Sequence, residues 1–345
     1  MPGSRADVVR LSTPAELICA VESMLGFTPQ DSVVMLCLHG ERRRVGLAMR
    51  FDLVPAVVAE DFARDVTRRI RLEQADGVFL AVFSPDRPVG DRLPHGVLVE
   101  AVLARLDVPL VDAVLAAADR WWSYLCAEPC CGGTVRMPLD REAPGAVAVA
   151  AAYAIAGLGP LSDRAAVVQS VALELDAVEA DRMRVRIEEQ QRRLAARSRS
   201  DRRAAVVPLA EQLAASVADP RGSISFDDLA ELVALCDDVV VRDEVLVKAD
   251  DRAARERLLP MLRVAAGQIP PPFDPPLCSM LAWFAYAAGD GVIANVAIDR
   301  ALTTDPSYSL ALLIADALFS QVPPSVLKKV MRGAARDLRR RSAGG

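Results

Sequence analysis

Gly26-Phe27-Thr28-Pro29-Gln30-Asp31-Ser32-Val33-Val34-Met35-Leu36-Cys37-Leu38 decides how the first half of the chain is read. Glycine accepts the left-handed conformation that ends a helix. Pro29 then fixes a turn. From Ser32 to His39 apolar residues fall at odd and even positions alike, which predicts a central strand buried on both faces. Upstream, Thr13-Pro14-Ala15-Glu16 has the form of a helix start: a threonine cap, proline at the first helical position and glutamate at the third. Leu17, Val21, Met24 and Leu25 give that helix an apolar side. Downstream, Gly40-Glu41-Arg42-Arg43 reads as a hairpin tip and Val45 to Leu53 as the return strand, apolar at its odd positions. A hairpin centred near Glu41 sets Ser32 opposite Arg50, with Asp52 one pair further along the same face.

The remainder of the first half repeats these signals. Val57 to Gln74 is an amphipathic helix with Val58, Phe62, Val66 and Ile70 as its stripe. Val78 to Phe83 is a second buried strand, ended by Ser84-Pro85-Asp86. A helix is expected from about Asp91 to Leu106, then strands from Leu110 to Ala116 and from Arg120 to Cys126. Residues 1–138 therefore read as a mixed α/β sheet domain with two β-hairpins, of the α+β class. After Pro138 the β signals stop. Helical patterns cover Ala143 to Gly157, Ser162 to Leu175, Ala177 to Ser198, Arg203 to Ala218, Phe226 to Cys236, Val239 to Ala266 with a break near Pro260, and Pro275 to Ala288. Residues 139–345 read as an all-α helical domain with a proline-rich hinge at 268–276.

Composition narrows the function classes. The chain has 345 residues, 52% of them hydrophobic and 25% charged, which is globular rather than disordered. Its net charge of -5 argues against a polyanion binder by composition. Arginine outnumbers lysine heavily, as a GC-rich genome produces, so arginine count alone says nothing of phosphate recognition. The longest apolar run, Ala143 to Leu158, is alanine-rich and soon meets Pro160 and charges, so no membrane span is expected. Arg5, Asp7 and Arg10 interrupt the start before a secretory signal could form. Seven cysteines in such a chain read as thiols, and the expected location is cytoplasmic.

Candidate sites are few. Ser32, Arg50 and Asp52 would meet at one end of the sheet and could hold a small polar or anionic ligand, although Arg50 and Asp52 also make sense as a plain ion pair. His39 lies roughly 20 Å along the strand from Ser32 by strand rise and cannot serve it as a base. His95, in Leu93-Pro94-His95-Gly96, has no place that spacing fixes, and no Gly-x-Ser-x-Gly elbow is present, so hydrolase chemistry by that route is not expected. Cys126, Cys130 and Cys131 form a Cys-x3-Cys-Cys cluster. Zinc usually takes four ligands, so a fourth would have to come from Glu128, His95 or elsewhere; a redox pair is an alternative, and reduced thiols in a tight loop are the plainer reading. Gly132-Gly133-Thr134 and Gly289-Asp290-Gly291 match neither a phosphate loop nor a dinucleotide fingerprint. Arg192, Arg193, Arg197, Arg199, Arg202 and Arg203 crowd one helix end, and Lys328, Lys329, Arg332, Arg336 and Arg339 to Arg341 line the C-terminus. Neither stretch has interleaved aromatics, so both read as solvated helix surface rather than a nucleic-acid site.

Several stretches together resemble one family. They are Leu11 to Leu17, Leu25 to Val34, Arg50-Phe51-Asp52-Leu53, Trp121-Trp122-Ser123-Tyr124-Leu125-Cys126 with Cys130-Cys131, and Gly289-Asp290-Gly291 through Asp305-Pro306. The chain is similar there to domain-of-unknown-function family 4192 of GC-rich bacteria, a resemblance that supports the layout and implies no chemistry. Ala294, Ile298, Ala301, Leu302 and Asp305-Pro306 also resemble the second helix and exit turn of a tetratricopeptide repeat, within a helical end at 277–336. The function expected from these readings is a non-catalytic interaction or scaffold protein that meets a protein partner through its C-terminal helices. The alternatives are a small-ligand site or enzyme at Ser32, Arg50 and Asp52, and a thiol or zinc protein through Cys126, Cys130 and Cys131.

Overall fold

The first helix forms where the capping pattern puts it. Thr13 Oγ1 accepts from the Glu16 N–H at 3.2 Å, and Glu16 Oε2 accepts from the Ser12 and Thr13 N–H groups at 2.6 and 3.2 Å, which starts α1 (Pro14–Leu25). Gly26, at φ +74°, ends it. The computed structural model describes residues 9–90, 92–126, 137–155, 164–320, 322, 324 and 326–333. It divides into two units, 1–164 and 165–345.

In the first unit, β1 (Ser32–His39) and β2 (Arg44–Asp52) form a hairpin, and α2 (Ala59–Glu73) leads to β3 (Gly77–Phe83). A crossover through α3 (Gly96–Leu103) reaches β4 (Leu110–Ala117), which turns into β5 (Arg120–Ser123); β6 (Met137–Pro138) follows. The six strands lie in the order β2-β1-β3-β4-β5-β6, with β3 and β4 parallel and the other pairs antiparallel. This is a mixed sheet, and β1 is central with seven buried residues in succession, as its two-faced apolar pattern requires. Val33, Met35 and Cys37 pack with Leu80, Val82 and Leu115 under α2 and α3. Val34, Leu36 and Leu38 are buried too, pointing to the other face by strand alternation. α1 touches β2 and β4 and packs against α4 (Pro144–Ile155).

The hairpin register differs from expectation. Ser32 pairs with Asp52, and Arg50 with Val34. Four residues, Gly40 to Arg43, make the turn, and a bulge where β1 passes Leu36 to Leu38 adds one residue to β2, so the far end slips by two. An even slip leaves every side chain on its expected face. The α3 helix is shorter than expected, starting at Gly96, and β5 ends at Ser123 rather than Cys126.

The second unit is helical: α5 (Arg164–Gln169), α6 (Ala177–Ala195), α7 (Arg199–Ala218), α8 (Phe226–Cys236), α9 (Val239–Leu246), α10 (Arg252–Gln268), α11 (Pro275–Ala288), α12 (Gly291–Thr304) and α13 (Ser309–Phe319). Residues 326–333 are helical as well. Met183, Ile187, Leu213, Trp283 and Phe284 are among its largest fully buried side chains. The break expected near Pro260 falls instead at Asp251, whose carboxylate caps the Ala253 N–H at 2.9 Å; α10 continues through Pro260.

One boundary moves for a physical reason. The sheet unit extends past Pro138 to residue 164, because α4 packs on α1. The proline-rich link at 268–276 is pinned rather than free. Arg300 of α12 donates to Asp274 Oδ2 at 2.9 Å and to the carbonyls of Val171, Ala266 and Ile269 at 2.5, 2.7 and 2.7 Å. Ile269, Pro270 and Asp274 are buried, and Arg184 Nε holds the Pro271 carbonyl at 2.8 Å.

Candidate functional site

The end of the sheet where β1 begins brings Ser32, Arg50 and Asp52 together. Arg50 Nε donates to Ser32 Oγ at 2.9 Å, and Arg50 Nη1 meets Asp52 Oδ1 at 2.6 Å. Ser32 is fully buried and its hydroxyl donates to the Gln30 carbonyl at 2.5 Å. The Arg50 side chain is 18% exposed and that of Asp52 75%. The hydroxyl is thus occupied on both sides, by a carbonyl and by a guanidinium, and among the described residues no base bonds to it. The trio acts as a chain of polar contacts that closes the strand end.

A cavity of about 420 Å³ lies at the opposite end of the sheet, lined by Leu38, Gly40, Arg43, Asp76, Gly77 and Pro109, with Glu41 and Val111. Its floor is tied by the Gly40 N–H, which donates to Asp76 Oδ2 at 2.6 Å, and by the Val78 N–H on the Pro109 carbonyl. Gly77 admits Pro109 here: a Cβ at that position would stand 3.2 Å from the Pro109 carbonyl oxygen.

A third cluster sits just past the carboxyl end of β3. His95 Nε2 lies 3.1 Å from Ser84 Oγ and 3.1 Å from Asp86 Oδ2, and the Asp86 N–H donates to Ser84 Oγ at 3.2 Å. Ser84 and Ser32 share the same end of the sheet, since Ser32 pairs with Phe83. By alternation Ser84 faces the α2 and α3 side and Ser32 the other. Sequence reasoning read Ser84-Pro85-Asp86 only as a strand end. The missing signal was the left-handed His95, at φ +61°, which turns the ring back onto the strand end; no motif announces it.

The thiols divide by burial. Burial pushes Cys19 up to about 11 and Cys37, Cys236 and Cys278 up to about 12. These four are small core residues. Cys126 is partly exposed, while Cys130 and Cys131 lie outside the described residues. Among the described residues no group of three or more His, Cys, Asp or Glu is placed to hold a metal ion.

Four of the crowded arginines face acids of neighbouring elements, while Arg192 Nε donates to the Glu188 carbonyl of its own helix at 3.2 Å. Arg197 meets Glu231 at 3.0 Å, Arg199 and Arg202 meet Asp238 at 2.9 and 3.4 Å, and Arg203 meets Glu244 at 2.6 Å. They tie α7 and its approach to α8 and α9. Near the C-terminus Arg332 meets Asp250 at 3.1 Å, and Arg336 and Arg339 to Arg341 lie outside the described residues.

The family described as "Domain of unknown function (DUF4192)" matches residues 14–325, a span that begins with α1 and includes nearly every element described above. The chain belongs to this family. No curated protein and no solved structure matches it. Family membership brings no chemistry with it. Among the described residues no helix is long and apolar enough to cross a membrane.

Buried carboxylates elsewhere serve the scaffold. Glu16 is buried at the start of α1, and its Oε1 also accepts from the Gly145 N–H at 3.1 Å, so one carboxylate serves the N-termini of α1 and α4. The Ser12 N–H leads the set of donors that hold this carboxyl below its usual range against the opposing effect of burial. Asp112 is pushed up by burial, countered by the Ser123 hydroxyl and the Ala113 N–H.

Proposed function

We propose that the protein is a cytoplasmic interaction protein that binds a protein partner through the outer face of its C-terminal helices. The observation that carries this reading is α13. Its inner face, Leu310, Ala311, Ile314 and Ala317, is buried, yet Leu312 and Leu313 on the outer side remain 46% and 39% exposed. Val326 and Val330, in the helical stretch that follows, are exposed as well. Adjacent exposed leucines at the end of a helical stack fit the apolar centre of an interface better than a solvated surface.

The hairpin of α11 and α12 supports the reading. Gly289, at φ +93°, turns the chain, and Asp290 Oδ1 caps the Ile293 N–H at 3.0 Å. Ala282, Ala285, Ala294, Ala297 and Ala301 are buried, small side chains of the kind that lets helices approach closely in repeat-like pairs. A small-ligand site at Ser32, Arg50 and Asp52 has less support, because the three spend their polar groups on one another and on Gln30.

A double variant, Leu312→Glu with Leu313→Glu, tests the proposal. The full chain and the variant, matched for melting temperature, are used to capture partners, and each captured protein is purified and rebound. A partner that binds the wild-type chain stoichiometrically and loses at least tenfold in affinity for the variant supports the reading. Equal binding by both proteins overturns it.

A further inference from the structure

The cavity of about 420 Å³ at the hairpin end of the sheet has two unlike walls. One is polar and holds Glu41 and Arg43 of the β1–β2 turn, with Asp76 beside them. The other is apolar, made by Pro109 and Val111 where the chain enters β4. Gly77, the first residue of β3, lies between them, because β3 runs between β1 and β4 in the sheet. A cleft of roughly this volume, apolar for the most part with a few convergent polar groups, is the usual form of a small-molecule site.

The chain departs from regular strands on both sides of this opening. The β1–β2 register shifts between Leu36 and Leu38. The β3–β4 register shifts between Val78 and Phe79, which leaves Val111 without a partner on β3. Bulges of this kind re-aim side chains and gather next to functional sites. Here Val111 Cγ2 comes over Gly77, 3.9 Å from where a Cβ would stand. Arg43 holds a left-handed backbone at φ +47°, uncommon for any residue but glycine. Asp76 is fixed twice: its N–H donates to the Leu38 carbonyl at 2.8 Å, and its Oδ2 accepts from the Gly40 N–H at 2.6 Å. Its Oδ1 has no partner among the described residues, and the Glu41 and Arg43 side chains enter no ion pair or hydrogen bond there.

We propose that this cavity reversibly binds a small zwitterion with an apolar tail, an α-amino acid of the leucine kind. This goes beyond the interaction role and concerns the other unit. The ligand carboxylate meets the Arg43 guanidinium, whose paired donors match it. The ligand ammonium meets Asp76 Oδ1 and the Glu41 carboxylate. The alkyl side chain rests on Pro109, Val111 and Leu38, away from the charged wall. A ligand with only a negative charge would face two carboxylates, and one with only a positive charge would face the guanidinium. Like charges set against each other in this way disfavour binding, so a ligand that carries both signs suits the wall best.

Isothermal titration calorimetry of the full chain with L-leucine, isoamylamine and isocaproate tests this; the second ligand lacks the carboxylate of leucine and the third its ammonium. L-leucine should saturate one site with a Kd of about 1 mM or tighter. Each analogue should bind roughly tenfold more weakly, the scale of a hydrogen bond to a charged group. Two variants remove one charge each and keep the local fold. Arg43→Asn suits the left-handed backbone, and Asp76→Asn retains an acceptor for the Gly40 N–H. Each should weaken L-leucine by roughly tenfold, and Arg43→Asn should abolish the preference for L-leucine over isoamylamine. A wild-type chain that shows no saturable L-leucine binding up to about 10 mM overturns the proposal. So does an affinity that both variants leave unchanged. Equal wild-type affinity for L-leucine and isoamylamine overturns it as well, because the cavity is then an amine site.

Discussion

Arg300 offers the sharpest test of how the helical unit is held. Its guanidinium reaches the buried Asp274 and three main-chain carbonyls from separate segments: the residues after α5, the end of α10 and the link that follows. Replacing it as Arg300→Met keeps most of the aliphatic stem and removes every donor. Breaking a buried ion pair from one side costs about 3–5 kcal/mol, because the remaining charge is left unpaired. Asp274 is such a charge, with its side chain 1% exposed and Oδ1 without a partner. A loss of about 4 kcal/mol lowers the melting temperature of a unit this size by roughly 8–16 °C. Locally, it raises amide exchange across Ile269 to Asp274 by up to about a thousandfold, at 1.4 kcal/mol per tenfold. Hydrogen-exchange mass spectrometry on 266–276, beside far-UV circular dichroism melting, reads both. Asp274→Asn should cost less, since the three carbonyls still hold the guanidinium. A loss below about 1 kcal/mol for Arg300→Met, with unchanged exchange at 269–274, would refute the clamp.

Other expectations follow from the same contacts. Glu16→Gln loses about 1–2 kcal/mol at neutral pH in urea denaturation, the scale of a helix cap held by charged hydrogen bonds. The Glu16 pKa is lowered on folding, so its contribution is present above the ordinary glutamate value of about 4.3 and lost as pH falls through the folded value. The gap between wild type and Glu16→Gln should therefore close toward pH 3, and a pH-independent gap would contradict the assignment. Gly145→Ala places a Cβ 2.6 Å from Glu16 Oε1 and 3.0 Å from the Arg10 carbonyl, and should cost about 1–3 kcal/mol by the same denaturation. Native-state alkylation near pH 8 should spare Cys19, Cys37, Cys236 and Cys278, whose thiols burial holds protonated, while Cys126 reacts; labelling of Cys236 before unfolding would count against the buried assignment. Elemental analysis of protein purified without chelator addresses Cys126, Cys130 and Cys131: a stoichiometric metal supports the zinc reading, and less than a tenth of an equivalent excludes it.

Local signals were legible wherever local chemistry settles the structure. Thr13, Pro14 and Glu16 announced α1, Gly26 ended it, and the unbroken apolar run after Ser32 identified a central strand. The β1–β2 register was not legible, because a bulge adds a residue without any Pro or Asn-Gly signal beyond Gly46 itself. Gly46 fits there for a reason seen only in three dimensions: a Cβ would come within 2.5 Å of the His39 ring. The link at 268–276 looked free because its anchor, Arg300, lies over twenty residues later. The contact between Ser84 and His95 was not legible for a related reason: eleven residues separate them, and only the left-handed turn at His95 folds one back on the other. Ser32, Arg50 and Asp52 were brought together by a register two residues away from the expected one, since same-face neighbours tolerate an even slip.

The carboxylate of Glu16 also joins a local contact to a distant one. Its bonds to Ser12 and Thr13 can form as soon as the first turn of α1 does. The bond to Gly145 closes a separation of 129 residues, an entropic cost of about 4 kcal/mol that intervening strands must first offset. The bond therefore predicts that α4 docks after the sheet forms, which pulsed hydrogen exchange during refolding would read as later protection at 145–155 than at 32–38. A fragment ended at Pro138 would retain all six strands and still lack its latch, leaving Glu16 Oε1 with no Gly145 N–H and one flank of α1 bare. Chain carried through residue 155 would restore that latch, because it includes the whole of α4.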